Sequence, residues 1–211
     1  MKTAKVNGVA ITAEAVQFEF ERLVKFYYAH GFKEDEIRRS LPELQEKALE
    51  QAIGAKLLLD RASSLEMTAS AEEIDEEVRK LVEQLGGADE FDKALAAQGL
   101  SEAALRRELE KGVKVNKLVA QACTGVDEPT EDEIAAFFEA RKADYAGRTI
   151  VDVHDQIRDL IRHDRRGRAL DAFVKELRAA ANVEYVEDHD HDHDHGHGHD
   201  CGCGCRHGHE G

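Results

Sequence analysis

The sequence lacks long hydrophobic runs. No stretch of its 211 residues approaches the ~20 apolar residues that a membrane-spanning helix needs. The opening MKTAKVNGVAITAEA also lacks the apolar run and the small-residue cleavage site of a secretory signal. We therefore expect no membrane partner and a cytoplasmic location, or a periplasmic one if a leader has been removed.

Clustered basic residues are missing as well. The chain carries 29 Lys and Arg against 44 Asp and Glu, a net charge of −15, and no block of basic residues alternates with aromatic ones. Such a surface repels phosphate backbones, so we expect no nucleic-acid partner. With 42% hydrophobic residues, the chain can still bury one sizeable core or two small ones.

Period-two patterns mark both ends of residues 1–186. The opening KVNGVAI predicts a hairpin, because Asn7-Gly8 is the preferred pair for a two-residue type I′ turn. NVEYV at 182–186 predicts a further strand. We expect this strand to pair with the hairpin and to bring the two ends into one small mixed core.

Between these ends the apolar period becomes helical. The pattern predicts one helix from Ala13 that fades at Gly31 and a long one from Pro42 to about Ser64. We expect the inward residues of the long helix to be Leu44, Ala48, Ala52, Ala55 and Leu59.

Signals at helix ends divide the middle of the chain. Capping boxes at 70–73 and 130–133 predict two helix starts. Gly86-Gly87 predicts a stop, Gly99 a glycine C-cap and Ser101 a further start. The helix after the first box presents an apolar face of Ile74, Val78, Leu81, Val82 and Leu85.

The last predicted helix runs from about Thr149 to Ala181. Its middle, HDRRGR at 163–168, has no apolar face. We interpret this segment as a solvated helix turn that bridges two packed halves, and the alternative is a basic contact point for a client or partner.

Five segments follow one another in an informative order: VNGVAIT, AIGAKLLLDRASSLEMTASAEEIDEEV, GLSEAALRRELEKGVKVNKLV, TEDEIAAFFEARKADY and VHDQIRDLIRHDRRGRALDAFVKELRAAANVEY. Together they resemble the helical chaperone region of SurA- and PrsA-type periplasmic folding factors, over roughly residues 4–186. The resemblance implies a mainly α, SurA-like helical chaperone domain over residues 1–186. Its small β element would consist of the N-terminal hairpin and a C-terminal strand.

In that family a parvulin-type prolyl isomerase domain commonly lies between the segment ending at Tyr145 and the closing helix. Here only AGRT separates them, so the isomerase residues of the family have no counterpart. His30, His154 and His163 stand singly, where a surface or capping role is more common than catalysis. The resemblance thus implies a non-enzymatic chaperone whose apolar patches shield an unfolded or partly folded client protein. It leaves a homodimer open.

Residues 187–211 form a separate unit, which we expect to be a flexible, disordered tail. They carry seven acidic side chains and one basic one, with eight of the eleven histidines and three of the four cysteines. Imidazole and thiolate groups bind Ni²⁺, Zn²⁺, Co²⁺ and copper, and such dense spacing favours several exchangeable ions over one closed site. The predicted ligands are His189, His191, His193, His195, His197, His199, Cys201, Cys203, Cys205, His207 and His209.

Other interpretations of the cysteines and the tail are weaker. A purification tag is normally a uniform histidine run without CGCGC, and a purely solubilising acidic tail needs no thiols. Cys123 lies near a helix end, where we expect a buried thiol that acts as a small apolar residue.

Two further hypotheses concern the whole protein. It could be a metallochaperone or metal store for the maturation of a metalloenzyme, with the helical body as a docking module for that partner. An active prolyl isomerase is the weakest hypothesis, because the chain lacks the segment that would supply the catalytic cluster.

We predict no prolyl isomerase activity above background on a standard X-Pro peptide. The uncatalysed rotation takes tens to hundreds of seconds, so a protease-coupled assay would reveal any acceleration. A rate that rises with protein concentration would contradict the prediction.

Overall fold

In the computed structural model, which describes residues 3–145 and 147–186, an antiparallel sheet joins the first described residues to the last. Its middle strand is β1 (Thr3–Val6), flanked by β2 (Val9–Ala10) and β3 (Val183–Val186). Val6 pairs with Val9 on one side and with Val183 on the other. The predicted hairpin and its pairing with the last strand are both confirmed.

Asn7 closes this sheet in two ways. Its φ of 50° and the φ of 81° at Gly8 form the turn between β1 and β2, with both residues in the left-handed region that a type I′ turn requires. The Asn7 amide donates to the Asn182 carbonyl at 2.7 Å, and its side-chain oxygen accepts from the Asn182 amide at 2.9 Å. One residue therefore turns the hairpin and fixes the entry to β3.

Helices fill the rest of the described chain, as the sequence predicts except at residues 34–39. They are α1 (Ala13–Ala29), α2 (Glu34–Arg39), α3 (Leu41–Ser64), α4 (Ala71–Leu85), α5 (Ala88–Ala97), α6 (Glu102–Ala122), α7 (Glu131–Ala140) and α8 (Ile150–Ala180), with a short 3-10 segment at Lys142–Tyr145.

Helix starts follow the capping signals. The Ser70 hydroxyl accepts from the Glu73 amide at 3.3 Å, while the Glu73 carboxylate accepts from the Ser70 amide at 2.8 Å. The same reciprocal pair caps α7 at 130–133. Helix α2 carries no such signal in the sequence, because its N-cap is Lys33 and not a short polar residue.

The inward face of α3 is broader than the periodicity predicts. Leu44, Ala48 and Ala52 are buried as expected, but Ala55 is exposed and Leu59 only half-buried. Along this helix the partners change from α1 and the sheet to α6 and α8. Successive residues are 100° apart around the helix, so each direction around it is lined by a different set of residues. Because the new partners lie in a different direction, a different set of residues is buried in the second half of the helix. The additional buried residues are Leu49, Ile53, Leu57, Leu58 and Ala62.

Three apolar clusters hold the helices together. The first lies between the sheet, α1 and α3; the second joins α7 to the first half of α8; the third joins α3, α6 and the second half of α8. Their most deeply buried side chains are Val6, Leu44, Ile53, Leu118, Ile134, Val153 and Ile157.

Helix α8 continues without a break through residues 163–168. Most of these residues are exposed, and the two halves of the helix pack in different clusters, which confirms the solvated bridge. Arg165 is the half-buried member of this segment. It donates to the Asp127 carbonyl at 2.9 Å and pairs with the Glu133 carboxylate, tying the middle of α8 to the entry of α7.

Cys123 differs from the prediction. It is half-buried at the C-cap of α6 and not enclosed in a core. Its Sγ lies 3.8 Å from the Arg166 carbonyl oxygen, so it contacts the exposed middle of α8.

His154 forms a polar contact between α7 and α8. Its Nε2 lies 2.8 Å from the Glu131 carboxylate, and its Nδ1 lies 3.4 Å from that of Asp155. The hydrogen bond to Glu131, followed by that to Asp155, raises the pKa of His154 above its ordinary value. A folded-state pKa above the unfolded value means that the protonated ring stabilises the fold. This stabilisation is fully present below the unfolded value of about 6.5, and it is lost as pH rises through the folded-state pKa.

We predict that His154→Gln lowers the free energy of unfolding more at pH 6 than at pH 8.5, because only the protonated ring pairs with the carboxylates. Urea unfolding at the two pH values measures the difference. The matched control is His163→Gln on the exposed middle of the same helix. An equal loss at both pH values for His154→Gln would contradict the charged contact.

Candidate functional site

An aromatic patch lies at the carboxyl end of α1. We define it as Phe26, Tyr27, His30 and Phe32, whose rings contact one another. The exposed fractions of Phe26 and Phe32 are 56% and 46%. Burial of one such side chain is worth about 1.5–3 kcal/mol, so these two exposed rings form a surface suited to an apolar partner.

The end of the helix builds this patch. Helix α1 ends at Ala29 with His30 as its C-cap, and Gly31 follows with a φ of 83°, in the left-handed region that favours glycine. The Gly31 amide donates to the Tyr28 carbonyl at 3.0 Å and the Phe32 amide to the Tyr27 carbonyl at 3.1 Å. These two bonds form a Schellman motif, which returns Phe32 onto the helix. Its ring centroid lies 4.8 Å from that of Tyr27, the apolar contact typical of this motif.

Internal contacts keep the rings in place. The His30 ring stacks on Phe26 with centroids 3.9 Å apart, and its Nδ1 donates to the Phe26 carbonyl at 2.8 Å. The Tyr27 hydroxyl accepts from the Lys47 ammonium of α3 at 3.4 Å. A partner would therefore meet side chains that are already positioned, which lowers the entropic cost of binding.

A groove between α4 and α6 is a second candidate surface. Helix α4 has a clear apolar face, yet none of its residues is fully buried, and Leu85 on that face is 44% exposed. The groove has a volume of about 460 Å³. We define the α4–α6 groove by its lining residues, Glu72, Glu73, Glu76 and Glu77 from α4 and Val113, Asn116, Lys117 and Ala120 from α6.

Charge is unevenly distributed in this groove. The Lys117 ammonium donates to the Glu73 carboxylate at 2.6 Å and to the Thr68 carbonyl at 2.9 Å. The hydrogen bond from Lys117, aided by the Ser70 amide, lowers the pKa of Glu73. Hydrogen bonds from its own backbone amide and from Ser70 lower the pKa of Glu72. The carboxylates of Glu72 and Glu73 are thus held in the charged form at neutral pH.

Single exposed apolar side chains also occur elsewhere. They are scattered over several elements, as is normal for a protein surface. The large ones among them are Val9, Phe18, Tyr28, Leu65, Leu100, Val151, Leu160, Tyr185 and Val186.

The predicted metal ligands between His189 and His209 lie outside the described residues. Within residues 3–145 and 147–186, no three His, Cys, Asp or Glu side chains come together as a possible metal site. His30 caps α1, His154 contacts α7, and His163 is exposed on α8. The described part of the chain also has no helix both long and apolar enough to cross a bilayer.

Sequence reasoning missed the aromatic patch. The helical period places Tyr27 on the same face of α1 as Val16, Phe20 and Leu23, and it gives no reason to group Tyr27 with its neighbours. A signal was present, because four of the twelve Phe and Tyr residues lie within residues 26–32. Whether these rings face the core or water depends on how the chain continues after Gly31, which periodicity does not reveal.

Comparison with a solved structure supports the fold. The chain is similar to a structure from Campylobacter jejuni, determined in work on the virulence factor PEB4 and the periplasmic protein Cj1289, which are described as two structurally related SurA-like chaperones. The TM-score is 0.57 at 13% sequence identity, and the similarity covers 88% of this chain and 98% of that chain. It shows the mainly helical fold with its small sheet. No curated protein matches the sequence.

Comparison with protein families gives the assignment. Residues 1–119, more than half of the chain, match the family described as the SurA-like N-terminal domain. This region runs from the hairpin through most of α6, and it includes the aromatic patch and most of the α4–α6 groove. The chain therefore belongs to the SurA-like N-terminal domain family.

Proposed function

We propose that this protein is a non-enzymatic chaperone that binds unfolded or partly folded client proteins and shields their apolar segments from aggregation. The aromatic patch is the observation that carries the proposal. Membership of the SurA-like family and similarity to a structure of SurA-like chaperones are consistent with it.

The chemistry of the patch suits a varied set of clients. Aromatic rings offer large apolar faces without demanding a particular hydrogen-bond partner, so they bind many different hydrophobic side chains. An unfolded chain exposes such side chains together, and their contact with other chains causes aggregation. Reversible burial of these segments on exposed rings would compete with that process.

A binding role also agrees with the connection between α7 and α8. Only residues 146–149 separate the 3-10 segment at Lys142–Tyr145 from α8. In the commonest architecture of SurA- and PrsA-type folding factors, a parvulin-type domain of about a hundred residues is inserted at this point. These four residues are too few to contain it, so the chain has the helical segments on both sides of the insertion point without the domain between them.

We predict that replacing Phe26 and Phe32 together by Ser weakens suppression of aggregation at least about fivefold. The loss corresponds to roughly 1 kcal/mol of apolar contact, less than the full burial of one ring. Light scattering from a denatured model protein, titrated with the full chain, gives the molar ratio needed for half suppression. Circular dichroism checks that the helices are kept.

Two controls make this test specific. Val151→Ser with Leu160→Ser removes exposed apolar side chains from α8 and should leave suppression nearly unchanged. A variant that ends at Val186 should also remain active, because the patch belongs to α1. The proposal fails if the wild-type protein does not delay aggregation, or if the α8 control loses as much activity as the patch variant.

We further propose that the tail formed by residues 187–211 binds exchangeable transition-metal ions. Support comes from its sequence alone, in which eleven His and Cys residues alternate with Asp and Gly. A role as a metallochaperone or metal store, with a metalloenzyme as client, is the second candidate function and rests on the same residues. A pull-down from the native cell with and without metal would separate the two roles, because metal delivery requires a partner whose capture depends on metal.

We predict that metal binding is multivalent, confined to the tail and strongly dependent on pH. Imidazole must be neutral to bind a metal, so the His-bound ions should leave as pH falls from about 7 to about 5, and thiolate-bound ions should leave last. Ser at Cys201, Cys203 and Cys205 should remove the acid-resistant fraction and spare most of the Ni²⁺ capacity. Calorimetry on the full chain and on the variant ending at Val186 measures both fractions.

One result would move the site to the helical body. Metal that binds the variant ending at Val186 and raises its melting temperature would show a ligand set within residues 1–186. The proposal for the tail would then be wrong.

A further inference from the structure

We propose that the α4–α6 groove takes a positively charged, amphipathic stretch of an unfolded client, with Lys or Arg side chains on the α4 wall and apolar side chains on the floor. This inference rests on the proposed chaperone function and names the class of client segment that one surface of the protein prefers.

The floor of the groove provides apolar contact. Val113 is buried beneath it, and Ala120 is small and exposed at its surface. The four glutamates of the α4 wall add their methylene groups to the apolar surface of the groove, below their carboxylates. A bound segment can therefore bury apolar side chains there.

The α4 wall carries more negative charge than its neighbours neutralise. Glu72 and Glu76, like Glu73 and Glu77, lie four residues apart, where like charges on a helix repel each other. Lys117 is the one basic residue of the lining and is engaged by Glu73.

The remaining carboxylates have weaker compensation. Glu76 pairs with Arg79 at 2.5 Å and Glu77 pairs with Lys80 at 2.8 Å. The Arg79 and Lys80 side chains are 62% and 52% exposed to solvent. Such exposed pairs within one helix are weak. No basic side chain of the described residues pairs with Glu72, whose hydrogen bonds come from Ser70 and its own backbone. A cation in the groove would therefore meet a negative potential.

This charge selects among the occupants that an open groove could accept. The tail at 187–211 has seven acidic side chains and one basic one, so the same sign of charge repels it. A second copy of the chain brings a net charge of −15 and is disfavoured for the same reason. A client segment with Lys or Arg fits, because these side chains lay their methylene stems on apolar surface while the charged end reaches a carboxylate.

The test uses two labelled, unstructured peptides of equal length and apolar content, one with Lys and one with Glu at the polar positions. Fluorescence anisotropy with the full-length protein should show that the Lys peptide binds at least about tenfold more tightly near 50 mM salt. The preference should shrink toward 0.3 M salt, since screening weakens exposed charges.

Two variants locate the preference. Glu72→Gln with Glu76→Gln should remove most of it. Asn116→Lys, which places a cation on the α6 wall at an exposed helical position, should remove it by a different route and without loss of helix propensity. The matched control is Glu34→Gln with Asp35→Asn on α2, an acid-to-amide pair outside the groove, which should leave the preference unchanged.

The outcomes separate this inference from the proposed function. Equal binding of the two peptides, or a preference that persists in both groove variants, overturns the inference while aggregation suppression stands. If the α2 control variant loses the preference for the Lys peptide as fully as the groove variants do, the preference comes from the overall charge of the protein, and the inference is also overturned. Failure of the wild-type protein to bind either peptide or to delay aggregation overturns the chaperone function itself.

Discussion

The structure depends on the position of β1 between β2 and β3. Because β3 follows α8 directly, its pairing with β1 fixes the carboxyl end of α8 against the first cluster, where Leu177, Ala181 and Val183 pack. Helix α8 spans 31 residues, and its other end carries α7. The placement of α7 therefore depends on a sheet that lies at the opposite end of α8.

A polar network reinforces this closure. The Arg178 guanidinium pairs with Glu50 of α3, and the Tyr185 hydroxyl of β3 donates to the same carboxylate at 2.6 Å. The Arg178 hydrogen bond lowers the pKa of Glu50, whereas burial, followed by the hydrogen bond to Glu50, raises the pKa of Tyr185. Both shifts keep the carboxylate charged and the phenol protonated at neutral pH, so α3, α8 and β3 remain connected there.

The parts of the fold that sequence reasoning predicted are those whose information is local. The turn at Asn7-Gly8 and the capping boxes are decided by side chains within a few residues of one another. Ala55 was misassigned because its burial depends on which helix lies opposite α3, a non-local fact. Helix α2 was missed for a related reason: six residues with one buried side chain, Ile37, give no measurable period.

The candidate surfaces show the same limit on function. The aromatic patch requires Gly31 to turn the chain back, and the α4–α6 groove requires two helices separated by α5 to lie side by side, so neither follows from apolar period alone. In both cases the exposed residues lie off the apolar faces that the helical period identifies: Phe26 and Phe32 lie beside Tyr27, and the glutamates of the groove lie beside the apolar face of α4. Periodicity identifies residues that are buried within the chain, so it does not distinguish a solvated polar face from one that contacts a partner. Surfaces of this kind are therefore recognised only once the folded chain brings the residues that line them together.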